Sequence, residues 1–180
     1  MGKNRMMRMK RLRRSLGRQI QLALLLSPTV FGLALADGDN PDDAVHWSAS
    51  VNSPAALTHG STVTVDIVGE VGEGWHVYGP VQHSGGPTPL RVTLDTTEVA
   101  AAAGPLSGAA AEKVHDTHFG FDTQLYVHPF TVHLPVKLGE QLPAGKQLIP
   151  VSVRFQACSD RECLLPRTVR LSVPIDVAAG

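Results

Sequence analysis

Val151-Ser152-Val153-Arg154-Phe155-Gln156-Ala157-Cys158-Ser159-Asp160-Arg161-Glu162-Cys163-Leu164-Leu165-Pro166 joins two kinds of pattern in one run. Val151, Val153, Phe155 and Ala157 share one parity, and Val169, Leu171, Val173 and Ile175 resume an alternation after Pro166. Apolar residues at every second position mark a strand with one face against a core. Between the two alternating segments, 148–157 and 168–176, lie the only two cysteines of the chain, separated by four residues. The pattern reads as a hairpin of half-buried strands with Cys158 and Cys163 at its tip.

The same alternation recurs along the chain. Val45, Trp47, Ala49 and Val51 show it, as do Val63, Val65 and Ile67, then Leu90, Val92 and Leu94, then Phe130, Val132, Leu134 and Val136. β-Branched residues and Gly/Pro punctuation point to about seven short strands, and so to an all-β, immunoglobulin-like β-sandwich. Residues 99–111 are Ala-rich, but Gly104-Pro105 and Gly108 make this segment a loop. Pro135, Pro150 and Pro174 fall in or beside strands and predict edges or strand starts there.

Charge divides the chain. Lys3, Arg5, Arg8, Lys10, Arg11, Arg13, Arg14 and Arg18 precede an apolar stretch, 20–35, that Ser27-Pro28 interrupts and Ala34-Leu35-Ala36 closes. A basic leader, a short apolar segment and a small-x-small end predict a signal peptide over 1–36 rather than a permanent membrane helix. Residues 37–44 then form an acidic, flexible tail, and one domain follows over 45–180 with enough length for a core. All sixteen acidic residues lie after Ala36 but only eight of the sixteen basic ones do, so the exported part is near −8. That balance speaks against a nucleic-acid partner, which calls for a basic surface. Export predicts a periplasmic, oxidising compartment in which a disulfide persists.

Three chemistries are open to Cys158 and Cys163: a structural disulfide, a redox-active one, or half of a metal site. As a staple, so small a ring contributes only about 2 kcal/mol in the chain-entropy picture, against nearly 5 for a loop of about 100 residues. A local bond is better suited to reversible opening. Arg161 favours a thiolate while Asp160 and Glu162 oppose it, so the neighbours do not decide which sulfur is nucleophilic. A partner-binding sandwich with an inert disulfide is one alternative. Another is a periplasmic copper or zinc protein, in which His115 and His118 join the two cysteines as ligands.

Two further segments carry chemistry. In Gly74-Trp75-His76-Val77-Tyr78-Gly79-Pro80, a core Trp75 and Val77 leave His76 and Tyr78 pointing outward, where they could line a site. His115-Asp116-Thr117-His118-Phe119-Gly120-Phe121-Asp122 is a polar loop whose two aromatics either enter the core or cover something.

Taken together these elements resemble the N-terminal periplasmic domain of DsbD thiol-disulfide interchange proteins, the disulfide bond corrector family. The resemblance spans roughly 45–177. It rests on Gly74-Trp75-His76-Val77-Tyr78, on Gly85-Gly86-Pro87-Thr88-Pro89-Leu90, and above all on Val153 through Cys158 with Cys163-Leu164-Leu165-Pro166. It implies an immunoglobulin-like sandwich that shuttles electrons by thiol-disulfide exchange without metal or organic cofactor. Its partners would be thioredoxin-like periplasmic proteins: a donor domain fed through the membrane, and acceptors among disulfide isomerases and cytochrome-maturation thiol proteins. Cys163 would attack and Cys158 resolve. A cap loop, by position 116–120, would shield the pair, with His76 and Tyr78 bordering it. The family's cap phenylalanine falls on His118, with Phe119 beside it. The family's membrane and thioredoxin-like domains are not in these 180 residues, so the expected role is a stand-alone carrier served by a separate membrane thiol reductase.

Overall fold

A computed structural model describes residues 44–52, 57–95 and 98–179. The leader expected over 1–36, and all of the expected tail but Ala44, lie outside the described residues. Twelve strands form among them: β1 (Val45–Asn52), β2 (Thr62–Val71), β3 (Trp75–Tyr78), β4 (Arg91–Leu94), β5 (Ala100–Ala102), β6 (Ser107–Gly108), β7 (Glu112–Asp116), β8 (Phe121–Tyr126), β9 (Phe130–Leu138), β10 (Gly145–Phe155), β11 (Ala157–Ser159) and β12 (Arg167–Val177). Their pairings are antiparallel and build three sheets. The first runs β1-β2-β9-β5 with β6 also on β9, the second β12-β10-β4, and the third β11-β3-β8-β7. None of the described residues forms a helix long and apolar enough to cross a membrane.

Alternation accounts for the core. Val65, Ile67, Val132, Val136, Ile149, Val151, Val153 and Val173 are buried from two strand pairs in different sheets, β2–β9 and β10–β12, and one cluster joins them, as in a β-sandwich. Trp47 sits at its centre, edge-on to Phe130 at 5.7 Å and tilted against Phe155 at 5.1 Å. Tyr126 stacks on the other side of this group, 3.8 Å from Phe130.

The prolines obey the hydrogen-bond logic of strands. Pro135 lies within β9, and its carbonyl accepts the Ala103 N–H, so its missing donor faces the gap between β5 and β6. Pro150 lies within β10 and faces the side where β4 has ended, its carbonyl accepting from Asp95 N. Pro174 is on β12, an edge strand. Only Pro174 is thus on an expected edge; Pro135 and Pro150 lie inside the central strands β9 and β10, at points where the neighbouring strand breaks or ends and needs no N–H from them.

Residues 99–111 depart from the expected loop, because β5 and β6 both add to β9. Gly108 permits the second contact. It has φ +123°, and a Cβ there would lie 2.8 Å from Val132 Cα.

The hairpin expected at 148–176 forms, with Phe155 opposite Arg167, but it changes sheets at Gln156. Beyond that residue, β11 leaves β10's sheet and pairs with β3. Gln156 fixes the crossing: its carbonyl accepts the Tyr78 N–H and its side-chain oxygen accepts the Thr88 N–H at 2.8 Å. The cysteine tip is therefore carried by a different sheet from the strands that deliver it.

Phe155 closes the core beneath this crossing and is 1% exposed. Phe155→Ala should cost about 3–5 kcal/mol in urea unfolding, the range for emptying a large buried aromatic site.

Candidate functional site

β3 lies between β11 and β8, and its two faces have different neighbours. Trp75 and Val77 join the main core, while His76 and Tyr78 take the opposite face. That face is not open. Tyr78 has no exposed surface and forms a second apolar cluster with Leu125 and Cys158, against which Phe119 and Cys163 pack. The register explains the grouping, since Tyr78 is opposite Leu125 and His76 is opposite Cys158. Cross-strand partners hold their side chains on one face, about 5 Å apart at Cβ.

A tight turn presents the sulfurs. Ser159 N–H donates to the Glu162 carbonyl at 2.8 Å, and Leu164 N–H donates to the Ala157 carbonyl at 2.9 Å. The Ser159 hydroxyl oxygen accepts from the N–H groups of Arg161 and Glu162, a local bond that serine favours at turns. Cys158 and Cys163 thereby become bridge partners and are joined as a disulfide, with S–S 2.02 Å and Cα–Cα 4.0 Å. Cys158 is fully buried, whereas Cys163 is partly exposed.

The cover is a turn between β7 and β8, so half of the polar segment 115–122 is strand and residues 117–120 connect the two. Asp116, 5% exposed, organises it. Its Oδ1 accepts the His118 N–H at 2.9 Å and its carbonyl accepts the Gly120 N–H at 2.7 Å, with Gly120 at φ +73° completing the reversal. Its Oδ2 accepts the Tyr78 hydroxyl at 2.7 Å and the Thr123 hydroxyl at 3.2 Å. One carboxylate both shapes the turn and fastens it to the sheet below.

Burial opposes Asp116 ionisation. Hydrogen bonds from Tyr78, the His118 backbone, Thr123 and the Phe119 backbone outweigh that, and hold the carboxyl below its ordinary range. Burial and the bond to Asp116 push the Tyr78 phenol far above its ordinary value, so it acts only as a donor.

Phe119 packs on the cluster that contains Cys158. Its ring meets Tyr78 edge-on at 5.8 Å, while His118 lies on the exposed side of the turn with Nδ1 3.6 Å from Asp116 Oδ1. Phe121 does not enter the main core either, and packs against Phe119 and His83. His76 stands edge-on to Tyr78 at 5.1 Å, and its Nε2 is buried with no hydrogen-bond partner. Burial lowers its pKa, with Asp116 and Asp160 acting in the opposite sense and His118 adding to the lowering.

The structure does not gather His115, His118, Cys158 and Cys163 into one ligand set. His115 faces Asp122 at 3.3 Å, the cysteines bond to each other, and the described residues contain no metal-competent group of three such side chains. Leu125 and Thr123 were not legible as site residues, although Leu125 shares parity with Thr123 in β8.

The family profile described as thiol:disulfide interchange protein DsbD, N-terminal, matches residues 47–174. No match is found among curated proteins. Among solved structures, a family 123 glycoside hydrolase from Clostridium perfringens is similar at 7% identity over 72% of this chain and 27% of that one, with a TM-score of 0.30. The chain spans about a quarter of that hydrolase, and so loose a likeness bears on neither fold nor function.

Tyr78→Phe keeps the ring and removes the donor to Asp116. A carboxyl whose folded pKa is depressed contributes stability above its unfolded pKa, and that contribution is lost as pH falls through the folded value. The substitution should therefore cost about 1–3 kcal/mol near neutral pH and less in acid, read by urea unfolding at both. An equal cost at both pH values would assign the effect to packing instead.

Proposed function

The chain belongs to the family of DsbD N-terminal domains, and from that premise we propose that it passes reducing equivalents between thioredoxin-like proteins of the periplasm through Cys158 and Cys163. The observation that supports this most is the unequal placement of the two sulfurs: Cys163 at the rim, Cys158 buried beneath Phe119 and beside Tyr78.

In the reduced protein the Cys163 thiolate attacks one sulfur of a partner disulfide. A mixed disulfide forms and the partner's other sulfur leaves as a thiolate. Cys158, once deprotonated, attacks Cys163 Sγ. The Cys158–Cys163 bond forms, the bond to the partner breaks, and the partner departs with two electrons more than it brought. A membrane thiol reductase upstream returns the domain to the dithiol through the same steps reversed. Attack by or on Cys163 requires the 117–120 turn to yield, and its contacts are local ones to Tyr78 and Asp116. Residues 1–36 direct export, which fits a disulfide in an oxidising compartment.

Serine variants test this. Reduced wild-type protein mixed with an oxidised thioredoxin-like isomerase should transfer its electrons, and neither Cys158→Ser nor Cys163→Ser should complete the transfer. Cys158→Ser should instead accumulate a mixed disulfide at Cys163, visible by non-reducing electrophoresis and mass. Both variants should stay folded, losing about 2 kcal/mol or less. Unfolding of either one, or a wild-type protein inert toward such partners, would leave a structural staple as the better reading.

A further inference from the structure

His76 has no role in the exchange as described above, yet its position is specific. It is the cross-strand partner of Cys158. Its ring shares the outer face of β3 with Tyr78, which packs on Cys158. Its Nε2 is buried without a partner. A buried polar nitrogen left unpaired is costly, so a partner in another state of the protein is a natural expectation. In the disulfide the neighbouring sulfurs have no proton to give. In the dithiol, or in the mixed disulfide with a partner, Cys158 carries an S–H that must be removed before it can attack. The orphan nitrogen and the buried thiol then complement each other.

We propose that His76 is the proton acceptor for the Cys158 thiol in the resolving step, and its proton donor when the disulfide is opened. The inference rests on the exchange reading given above. In resolution, Nε2 takes the Cys158 proton as the sulfur attacks Cys163 Sγ. The Cys158–Cys163 bond forms, the Cys163–partner bond breaks, and the electron pair leaves on the partner sulfur. The imidazolium then gives up its proton to the departing thiolate or to water. In the opposite direction an incoming thiolate takes Cys163, and the protonated His76 returns a proton to Cys158 as it leaves.

The surroundings suit a base that is charged only briefly. Tyr78 on β3 is held as a donor to Asp116 and does not compete for the proton. Asp116 at the end of β7 and Asp160 in the hairpin turn stabilise a cationic imidazole, while burial and His118 on the 117–120 turn oppose it. Imidazole is thus neutral before the step and supported by two carboxylates during it. Without such a base, the buried Cys158 would have to ionise in an apolar cluster, which raises a thiol pKa.

A small disulfide separates the two chemical steps without any protein partner. Reduced protein mixed with dithiobis-nitrobenzoate releases one thionitrobenzoate when Cys163 attacks and a second when Cys158 resolves the adduct, and both releases are read by absorbance. In His76→Phe the second release should slow by about tenfold or more while the first is nearly unchanged. The wild-type second phase should reach its plateau already in mildly acidic solution. In His76→Gln, which keeps a polar side chain of similar reach, that plateau should vanish and the rate should keep climbing with pH as the thiol itself ionises. Should His76→Phe not fold, the Gln variant's pH profile decides. An unchanged second phase and an unchanged profile would overturn the role of His76, whatever the protein does with thioredoxin-like partners. A His76-dependent second phase in a protein that ignores those partners would uphold the inference and refute the exchange reading.

Discussion

The site depends on one buried carboxylate. Asp116 has almost no exposure, and a carboxylate taken from water needs its oxygens satisfied. Four donors do so: two hydroxyls from β3 and β8, and two backbone N–H groups from the turn that follows it. The hydroxyls tie it to the sheet and the backbone donors bend the chain over the sheet. Phe119 then lands on Tyr78, the same residue whose hydroxyl anchors the carboxylate. Cover and floor are parts of one hydrogen-bonded unit. Charge-assisted bonds are stronger than neutral ones, so this unit can position a short turn that has little apolar area of its own.

The third sheet serves two purposes because strands have two faces. Trp75, Val77, Ala157 and Tyr126 belong to the main core, which is closed by Phe155, Trp47 and Phe130. His76, Tyr78, Leu125 and Cys158 belong to the face beyond it. A change of conformation at the cover need not disturb the core, since the backbone of β3 separates them. The crossing at Gln156 makes this arrangement possible. It lets strands anchored in the second sheet hand their tip to the third, and the Thr88 contact holds the Gly85-Gly86-Pro87-Thr88-Pro89 segment against that handover.

Much of this was legible in the sequence, for a physical reason: period-two burial leaves its mark residue by residue. The parity of 63–67, 130–136 and 151–157 needs only a buried face. Pro174 was legible on the edge strand β12, whereas Pro135 and Pro150 lie inside central strands whose neighbours break or end beside them, which the sequence does not show. What was not legible depends on distant partners. Parity sets Tyr78 on the outer face, but it cannot show that Phe119 covers that face. β7 is exposed at every residue but Asp116 and so has no alternation to read. β8 buries Thr123, a polar residue, because Asp116 accepts its hydroxyl. The sheet change at Gln156 is silent, because apolar parity runs unbroken from Val151 through Ala157. Sequence order also cannot show which residue of the turn reaches the floor; the Asp116 carboxylate shapes the turn, and Phe119 meets Tyr78 edge-on.

Reversible exchange asks that the two sulfurs stay close when the bond between them is open. The disulfide is not the sole bond that holds them. The Ser159–Glu162 and Leu164–Ala157 backbone bonds close the turn, the Ser159 hydroxyl braces it, and β11 is paired to β3 at three positions. None of these bonds involves sulfur. A dithiol on this frame keeps Cys158 beside Cys163, and reactants held in near-attack geometry react far faster than separate molecules. The small ring that makes the bond a weak staple is therefore the same feature that makes it easy to remake. In the exchange proposed above, stability would reside in the sheets and chemistry in the turn, joined through the backbone pairing of β11 with β3.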